Sequence, residues 1–413
     1  STFLEEEGIT LFEGYKASNI PPDADVIVIG NAMSRGNEEV EAVLQRRLRY
    51  LSLPETMKEY FLRGKRNYVV TGTHGKTTTT SMLAWLMEDS GLNPSFMIGG
   101  IARNLGRDFS VLEGDEYDTA FFDKRSKFLH YLPELVVINN IEFDHADIYN
   151  SLEEIKLSFR RLTQIIPRNG LALVNADDPN CLDVVKGAPC PVKTVGFSDS
   201  SNIRILDVET STDGSHFTLE GTRYYVPMIG EFNIRNAAMA IAAAQFAGLN
   251  VKQLADSMSR FEGVARRQEV KGVVNGISVV DDFAHHPTAI KQAILGLRQR
   301  YPESRIWAIF EPRSNTTRRN IFQNELALSL ATADFPVVAA VDHPDKVALE
   351  ERLDLTKLSN DLSALGKDAL IGGHAQEIVS AVCKKAQPGD VILVMSNGGF
   401  EGIHAKLLEA LNA

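Results

Sequence analysis

The residues best placed to do chemistry in this chain cluster in the segment Thr71-Gly72-Thr73-His74-Gly75-Lys76-Thr77-Thr78. Glycines let a backbone approach phosphate oxygens, and a helix N-terminus offers unpaired N–H groups with a partial positive charge. Lys76 can reach terminal phosphates, and the Thr77 hydroxyl can hold Mg2+. Gly72, Thr73, His74, Gly75, Lys76, Thr77 and Thr78 are therefore candidate phosphate-binding residues. The common G-x-x-x-x-G-K-[ST] form is not met in full, because Val70 stands in the first glycine's place. Two further segments offer metal-holding groups. One is Glu113-Gly-Asp-Glu-Tyr-Asp118, a burst of carboxylates after Val111-Leu112; the other is Asn139-Asn-Ile-Glu-Phe-Asp-His145. Oxygen ligands suit Mg2+, and a histidine can complete a second site. Either segment alone could be a solvated loop.

What must position these groups is an alternation of short apolar strands and amphipathic helices. Strands are expected at 25–30, 67–70, 135–138, 277–281, 305–310, 336–341 and 390–395. Helices are expected at 38–49, from the glycine turn to about 90, and at 152–166, 236–247, 287–299, 320–330 and 403–411. A stretch from 202 to 227, with a turn signal at Asp213-Gly214, reads as antiparallel. Strands spaced by helices predict parallel sheets with right-handed crossovers. Both carboxylate loops then leave the carboxyl ends of strands, the ligand edge of an open α/β sheet. Boundaries fall near 62 and 265, giving pieces 1–62, 63–265 and 266–413.

Composition narrows the function classes. The 413 residues include 43 Lys+Arg against 54 Asp+Glu, a formal net charge of −11. That acidity argues against a general nucleic-acid binder, while leaving room for small anionic ligands held by local positive charge. Three cysteines, Cys181, Cys190 and Cys383, have no metal-ligand spacing and fit a reducing compartment. No apolar run is long enough to insert in a membrane, and no signal-peptide pattern opens the chain. A cytoplasmic enzyme is expected.

Taken in order, Gly72–Thr78, Glu113–Asp118, Asn140–His145, Gly230-Glu-Phe-Asn-Ile-Arg-Asn236, Arg266-Arg267 and Asp281-Asp-Phe-Ala-His-His-Pro-Thr288 resemble the Mur ligases. The likeness runs over essentially the whole chain. Phe121-Phe-Asp-Lys-Arg-Ser-Lys-Phe128, Gly30-Asn-Ala-Met-Ser-Arg-Gly-Asn37, Glu311-Pro-Arg-Ser-Asn315 and Met395-Ser-Asn-Gly-Gly399 look like one branch of that family. That branch joins the murein tripeptide L-alanyl-γ-D-glutamyl-meso-diaminopimelate to UDP-N-acetylmuramate; the L-alanine-adding branch is the alternative.

The resemblance implies an α/β protein of three domains. These would be an N-terminal Rossmann-like domain for the UDP-sugar (truncated here, since the usual first strand and Gly-rich turn do not precede Ser1), a central P-loop ATPase-like domain with a mixed sheet, and a C-terminal Rossmann-like domain for the amine substrate. It implies ATP and Mg2+ and an acyl-phosphate route. Lys76, Glu113, His145 and Arg267 would be catalytic, with Thr77, Glu113 and His145 holding metal. Asn233, Asn236, Arg267 and Asp282 would join the phosphate loop in holding ATP. Asn31, Ser34, Arg35, Lys124, Arg125, His285 and Arg313 would meet substrate. On the residues alone, Asn233 and Asn236 could instead cap the alanine-rich helix, and the Lys124, Arg125 and Lys127 run could be a solvated basic face. The stretch between Gly100 and Glu113 is short for the branch. Arg160 stands where several relatives carry a carbamylated lysine, so no carbamylation is expected.

Overall fold

The computed structural model describes residues 2–99, 110–341 and 343–412. The phosphate-loop strand Tyr68–Thr71 lies inside a six-stranded, wholly parallel sheet. Its spatial order is Ile203–Arg204, Val192–Gly196, Leu171–Asn175, Leu135–Ile138, Tyr68–Thr71, Val111–Glu113. Both faces are buried, which explains the near-continuous apolar runs. Tyr68, Val70, Leu135 and Val137 face helices Lys76–Asp89 and Glu231–Phe246. Val69, Val136 and Ile138 face the other way, toward helix Leu152–Gln164. The antiparallel stretch forms a sheet of its own, Leu206–Thr210, Ser215–Leu219 and Thr222–Val226. The mixed sheet expected in the central piece is thus separate sheets, one parallel and six-stranded, and two antiparallel, this one and the hairpin Asp118–Ser126.

The threonine run has a structural use. Thr79 and Thr80 are fully buried where the Lys76–Asp89 helix packs on the alanine-rich one. Thr80 Oγ1 donates to the Lys76 carbonyl at 2.7 Å, and Asn139 Nδ2 donates to Thr79 Oγ1 at 3.0 Å. Small side chains bring the helices close, and each hydroxyl finds a partner within reach. The alanine-rich helix begins at Glu231 behind Gly230, earlier than its apolar pattern suggested.

The C-terminal sheet also has six strands, ordered Glu269–Val274, Ile277–Asp282, Val391–Met395, Ile306–Phe310, Phe335–Ala339, Leu370–Gly373. Only the first pair is antiparallel. At the N-terminus two parallel strands, Ile27–Ile29 and Tyr50–Ser52, cover a small core of Ile20, Ile29, Val40 and Val43. Phe121 and Phe122 from the central hairpin Asp118–Ser126 pack on that core, with the Phe122 ring 5.0 Å from Tyr50. Among the described residues no helix is long and apolar enough to cross a membrane.

Candidate active site

The phosphate loop is tied to the neighbouring strand end. The Thr73 N–H donates to the Asn140 carbonyl at 3.0 Å, and the His74 N–H to Asn140 Oδ1 at 2.7 Å. Gly72 has φ +126°, and a Cβ there would lie 2.9 Å from the Asn140 backbone. Gly75, at φ +77°, leaves room for Asn236, whose Oδ1 would be 2.6 Å from an added Cβ. Left-handed backbone and close approach both demand glycine here. The loop opens directly into the Lys76–Asp89 helix.

Three carboxylates converge on this helix start. Thr77 Oγ1 donates to Glu113 Oε1 at 2.9 Å, and Lys76 Nζ to Glu116 Oε2 at 2.9 Å. Glu116, 2% exposed, also faces His145, whose Nε2 is 3.4 Å from Oε1. Lys127 Nζ binds Asp115 at 2.8 Å. Burial opposes the charge on Lys76, but Glu116 and Asp115 outweigh it and hold the ammonium above its ordinary range. Burial likewise opposes ionisation of Glu116, yet Lys76 and His145 keep its carboxyl low. His145, against the pull of burial, is raised to about 9 by Glu116 and Asp144. Asp115, Glu116 and His145 bring their ligand atoms within 4.8 Å of one another. A divalent cation fits this chemistry, with oxygen donors from Thr77 and Glu113 in one group and a Glu116 oxygen with a His145 nitrogen in another.

The C-terminal piece closes over the loop. Arg267 Nη2 donates to Thr77 Oγ1 at 3.2 Å across the cleft. Its flanks, Arg266 at φ +60° and Gln268 at φ +49°, are left-handed, and Asp282 Oδ2 accepts the Gln268 N–H at 2.9 Å. Further bridges join Asp144 to Thr316 at 2.7 Å, Asp147 to Asn315 at 2.9 Å and Glu142 to Thr288 at 2.7 Å. The result is a cleft of about 920 Å³ lined from all three pieces of the chain, Asn31, Lys76, Asn233, Arg267 and Asp282 among them. A second cavity of about 300 Å³ adjoins it, between His145, His285, Arg313 and Arg318.

Family comparisons cover the chain nearly end to end. It matches the Mur ligase family catalytic domain over residues 1–64, the Mur ligase middle domain over 70–244, and the Mur ligase glutamate ligase domain over 266–398. It is 41% identical over its full length to the UDP-N-acetylmuramate–L-alanyl-γ-D-glutamyl-meso-2,6-diaminoheptandioate ligase of Escherichia coli (strain K12), spanning 90% of that protein. The chain belongs to the Mur ligase family. A crystal structure of a murein peptide ligase from Psychrobacter arcticus 273-4 is similar over the whole chain and 91% of its own, with 35% identity and a TM-score of 0.71. The UDP-N-acetylmuramate–L-alanine ligase of Salinibacter ruber (strain DSM 13855 / M31) is 33% identical over 96% of this chain and 84% of its own.

Not every residue singled out from the sequence of this Mur ligase reaches the cleft. Ser34 is exposed, and Arg35 turns away to pair with Glu41 at 2.9 Å, because this turn leads into the Glu38–Gln45 helix capped by Asn37. Lys124 and Arg125 are 70% and 59% exposed and pair with Asp118 and Asp123. The hairpin is only two strands wide and leaves both faces uncovered at its middle, so the adjacent Lys124 and Arg125 are exposed between buried Asp123 and Ser126, and Lys127, beyond the strand, lines the cleft instead. Asn233 and Asn236 sit inside the alanine-rich helix rather than capping it; Asn233 Nδ2 donates to the Ile229 carbonyl at 2.9 Å. Arg160 pairs with Asp183. The short stretch after Gly100 lies largely outside the described residues. Sequence reasoning missed Glu116 as the shared partner of Lys76 and His145. The signal was present in the carboxylate burst, but the choice among its four acids needed the fold.

Proposed function

We propose that this Mur ligase joins L-alanyl-γ-D-glutamyl-meso-diaminopimelate to UDP-N-acetylmuramate with cleavage of ATP to ADP and phosphate. The observation that carries the reading is the assembled cleft, in which Arg267 from one side meets the Lys76–Thr77 helix start from the other. The tripeptide is favoured over L-alanine by the greater identity to the tripeptide ligase, 41% against 33%. The division at 1–62, 63–265 and 266–413 is supported by the sheets, since among the described residues none mixes strands from two of these pieces.

In this reading a muramyl carboxylate oxygen attacks the γ-phosphorus and ADP leaves. The peptide amine then attacks the acyl phosphate, forming the C–N bond, releasing phosphate and losing a proton. Lys76 and Arg267 would neutralise charge on the transferred group, and the loop N–H groups would hold the phosphates. Such catalysis is positioning and electrostatics, with no protein nucleophile. Mg2+, held by Thr77, Glu113, Glu116 and His145, would add charge neutralisation of phosphoryl oxygens. The buried Asn233 and Asn236 and the cleft-lining Asp282 are suited to the nucleoside, and Arg313 and His285 to the peptide. Access to ATP and UDP-sugar implies a cytoplasmic setting.

Phosphate release with UDP-N-acetylmuramate and either L-alanine, the dipeptide or the tripeptide tests this. The tripeptide should show by far the highest kcat/KM, and Arg313→Ala should lower it by about ten- to a hundredfold, the loss of one charge-assisted contact. Equal or better use of L-alanine would make the chain an L-alanine-adding ligase.

A further inference from the structure

Among the described residues, and apart from the carboxylates around Lys76, one other group of metal-ligating side chains converges at the seam between the central and C-terminal pieces. Glu142 Oε2 lies 3.2 Å from His74 Nε2 and 3.2 Å from His286 Nδ1, and all three atoms fall within 4.8 Å of one another. Ligands on a tetrahedral ion with bonds of 2.0–2.2 Å stand about 3.3 Å apart, so both spacings already match a zinc-sized site.

The hydrogen bonds around His286 point the same way. Its Nε2 lies 3.2 Å from the Phe143 carbonyl, which can only accept, so Nε2 carries the proton. Nδ1 receives the Thr288 N–H at 3.3 Å, so it is the bare nitrogen. A bare nitrogen 3.2 Å from a carboxylate oxygen sets acceptor against acceptor where buried His286 meets half-buried Glu142, whose Oε2 also accepts the Thr288 hydroxyl at 2.7 Å, and a cation would relieve that apposition. A ring N–H bound to a backbone carbonyl is also the arrangement that fixes a metal-ligating histidine. Burial keeps His286 neutral, its pKa lowered to about 3.

We propose that His74, Glu142 and His286 form a binding site for a borderline-soft divalent cation of the Zn2+ class, separate from the Mg2+ groups and bridging two domains. Two imidazoles and one carboxylate suit Zn2+ and Co2+ better than Mg2+, which favours all-oxygen octahedra. One coordination position remains for water or substrate. Since His74 belongs to the phosphate loop and His286 to the start of the Pro287–Arg300 helix, the bound ion would fasten the closed arrangement.

Equilibrium dialysis of the full chain with Co2+, in excess Mg2+ and without nucleotide, tests the site. One tightly bound Co2+ per chain with intense tetrahedral visible bands is expected, displaced by Zn2+. His286→Gln and Glu142→Gln should each weaken binding at least tenfold, whereas His145→Ala should keep it. Circular dichroism without metal shows which variants fold, and His74→Gln replaces either that does not. Absence of a tetrahedral spectrum would overturn the proposal. So would binding abolished by His145→Ala, or binding indifferent to all three ligand substitutions.

Discussion

Glu116 is the residue on which the active-site charges balance. With its carboxylate between Lys76 and His145 and almost no water beside it, removing its charge leaves two cations facing each other. Glu116→Gln should destabilise the folded protein by about 3–5 kcal/mol, the range for breaking a buried ion pair, measurable by denaturant unfolding without ligands. Glu113→Gln, which keeps an acceptor for only one of the Thr77 hydroxyl and the Gly99 N–H, should be milder in stability and should raise the Mg2+ needed for half-maximal activity. Lys76→Ala should fold yet lose on the order of a hundredfold or more in turnover, because a positioned cation at the transferred phosphoryl is gone. Near-normal turnover in a folded Lys76→Ala protein would remove this lysine from the mechanism.

At the scale of elements, the phosphate loop works because two glycines and two asparagines let it lie against its neighbours. Gly75→Ala would force a side chain into left-handed backbone, at about 1–2 kcal/mol, and drive its methyl into Asn236. It should therefore raise the KM for ATP and lower the midpoint of thermal unfolding. Asn236→Ala in the same background should restore part of the lost stability by opening the space. If the single variant binds ATP normally, the close approach of the loop to the alanine-rich helix has no functional weight. The expected strands 67–70 and 135–138 and the helix after the loop stand where their apolar runs placed them, at 68–71, 135–138 and 76–89. The strands at 171–175 and 192–196 and the helix at 251–259 gave no comparably clear pattern.

The whole molecule decides when the site is complete. Arg267 reaches Thr77 only with the domains together, so Arg267→Ala should lower kcat by about a hundredfold while leaving binding of an ATP analogue to the central domain nearly unchanged. A fall in affinity with kcat preserved would show that Arg267 serves ground-state binding. The same seam should sense acid. His286, neutral in the folded protein down to about pH 3, takes up a proton in the unfolded chain below its ordinary value near 6.5. Stability is therefore lost as pH falls through that window, with a slope of at most about 1.4 kcal/mol per pH unit from this group. Burial also lowers His285 and His130, which add to the same decline. Glu142, lowered to about 2 by His74 and His286 against the pull of burial, adds a loss that begins only below its ordinary 4.5. Unfolding measured with a chelator between pH 7 and 5 should show the decline, and His286→Gln should make it shallower.

The amino-acid sequence alone carries the α/β class, the phosphate loop and the order of motifs, since these rest on local properties: apolar runs, glycine backbone freedom, and residue types at fixed spacing. It also brought forward Lys76, Thr77, Glu113, His145 and Arg267, which the fold gathers around one helix start. It could not separate Glu116 from its neighbouring acids, or Lys127 from Lys124 and Arg125. Which of them reaches the cleft depends on where the short hairpin ends and on the small N-terminal core against which that hairpin packs. Nor could it bring His286 to His74 and Glu142, which lie more than 140 residues away along the chain. Such pairings follow from how the loops of two independently wound sheets meet across the seam, and local sequence carries no record of that distance.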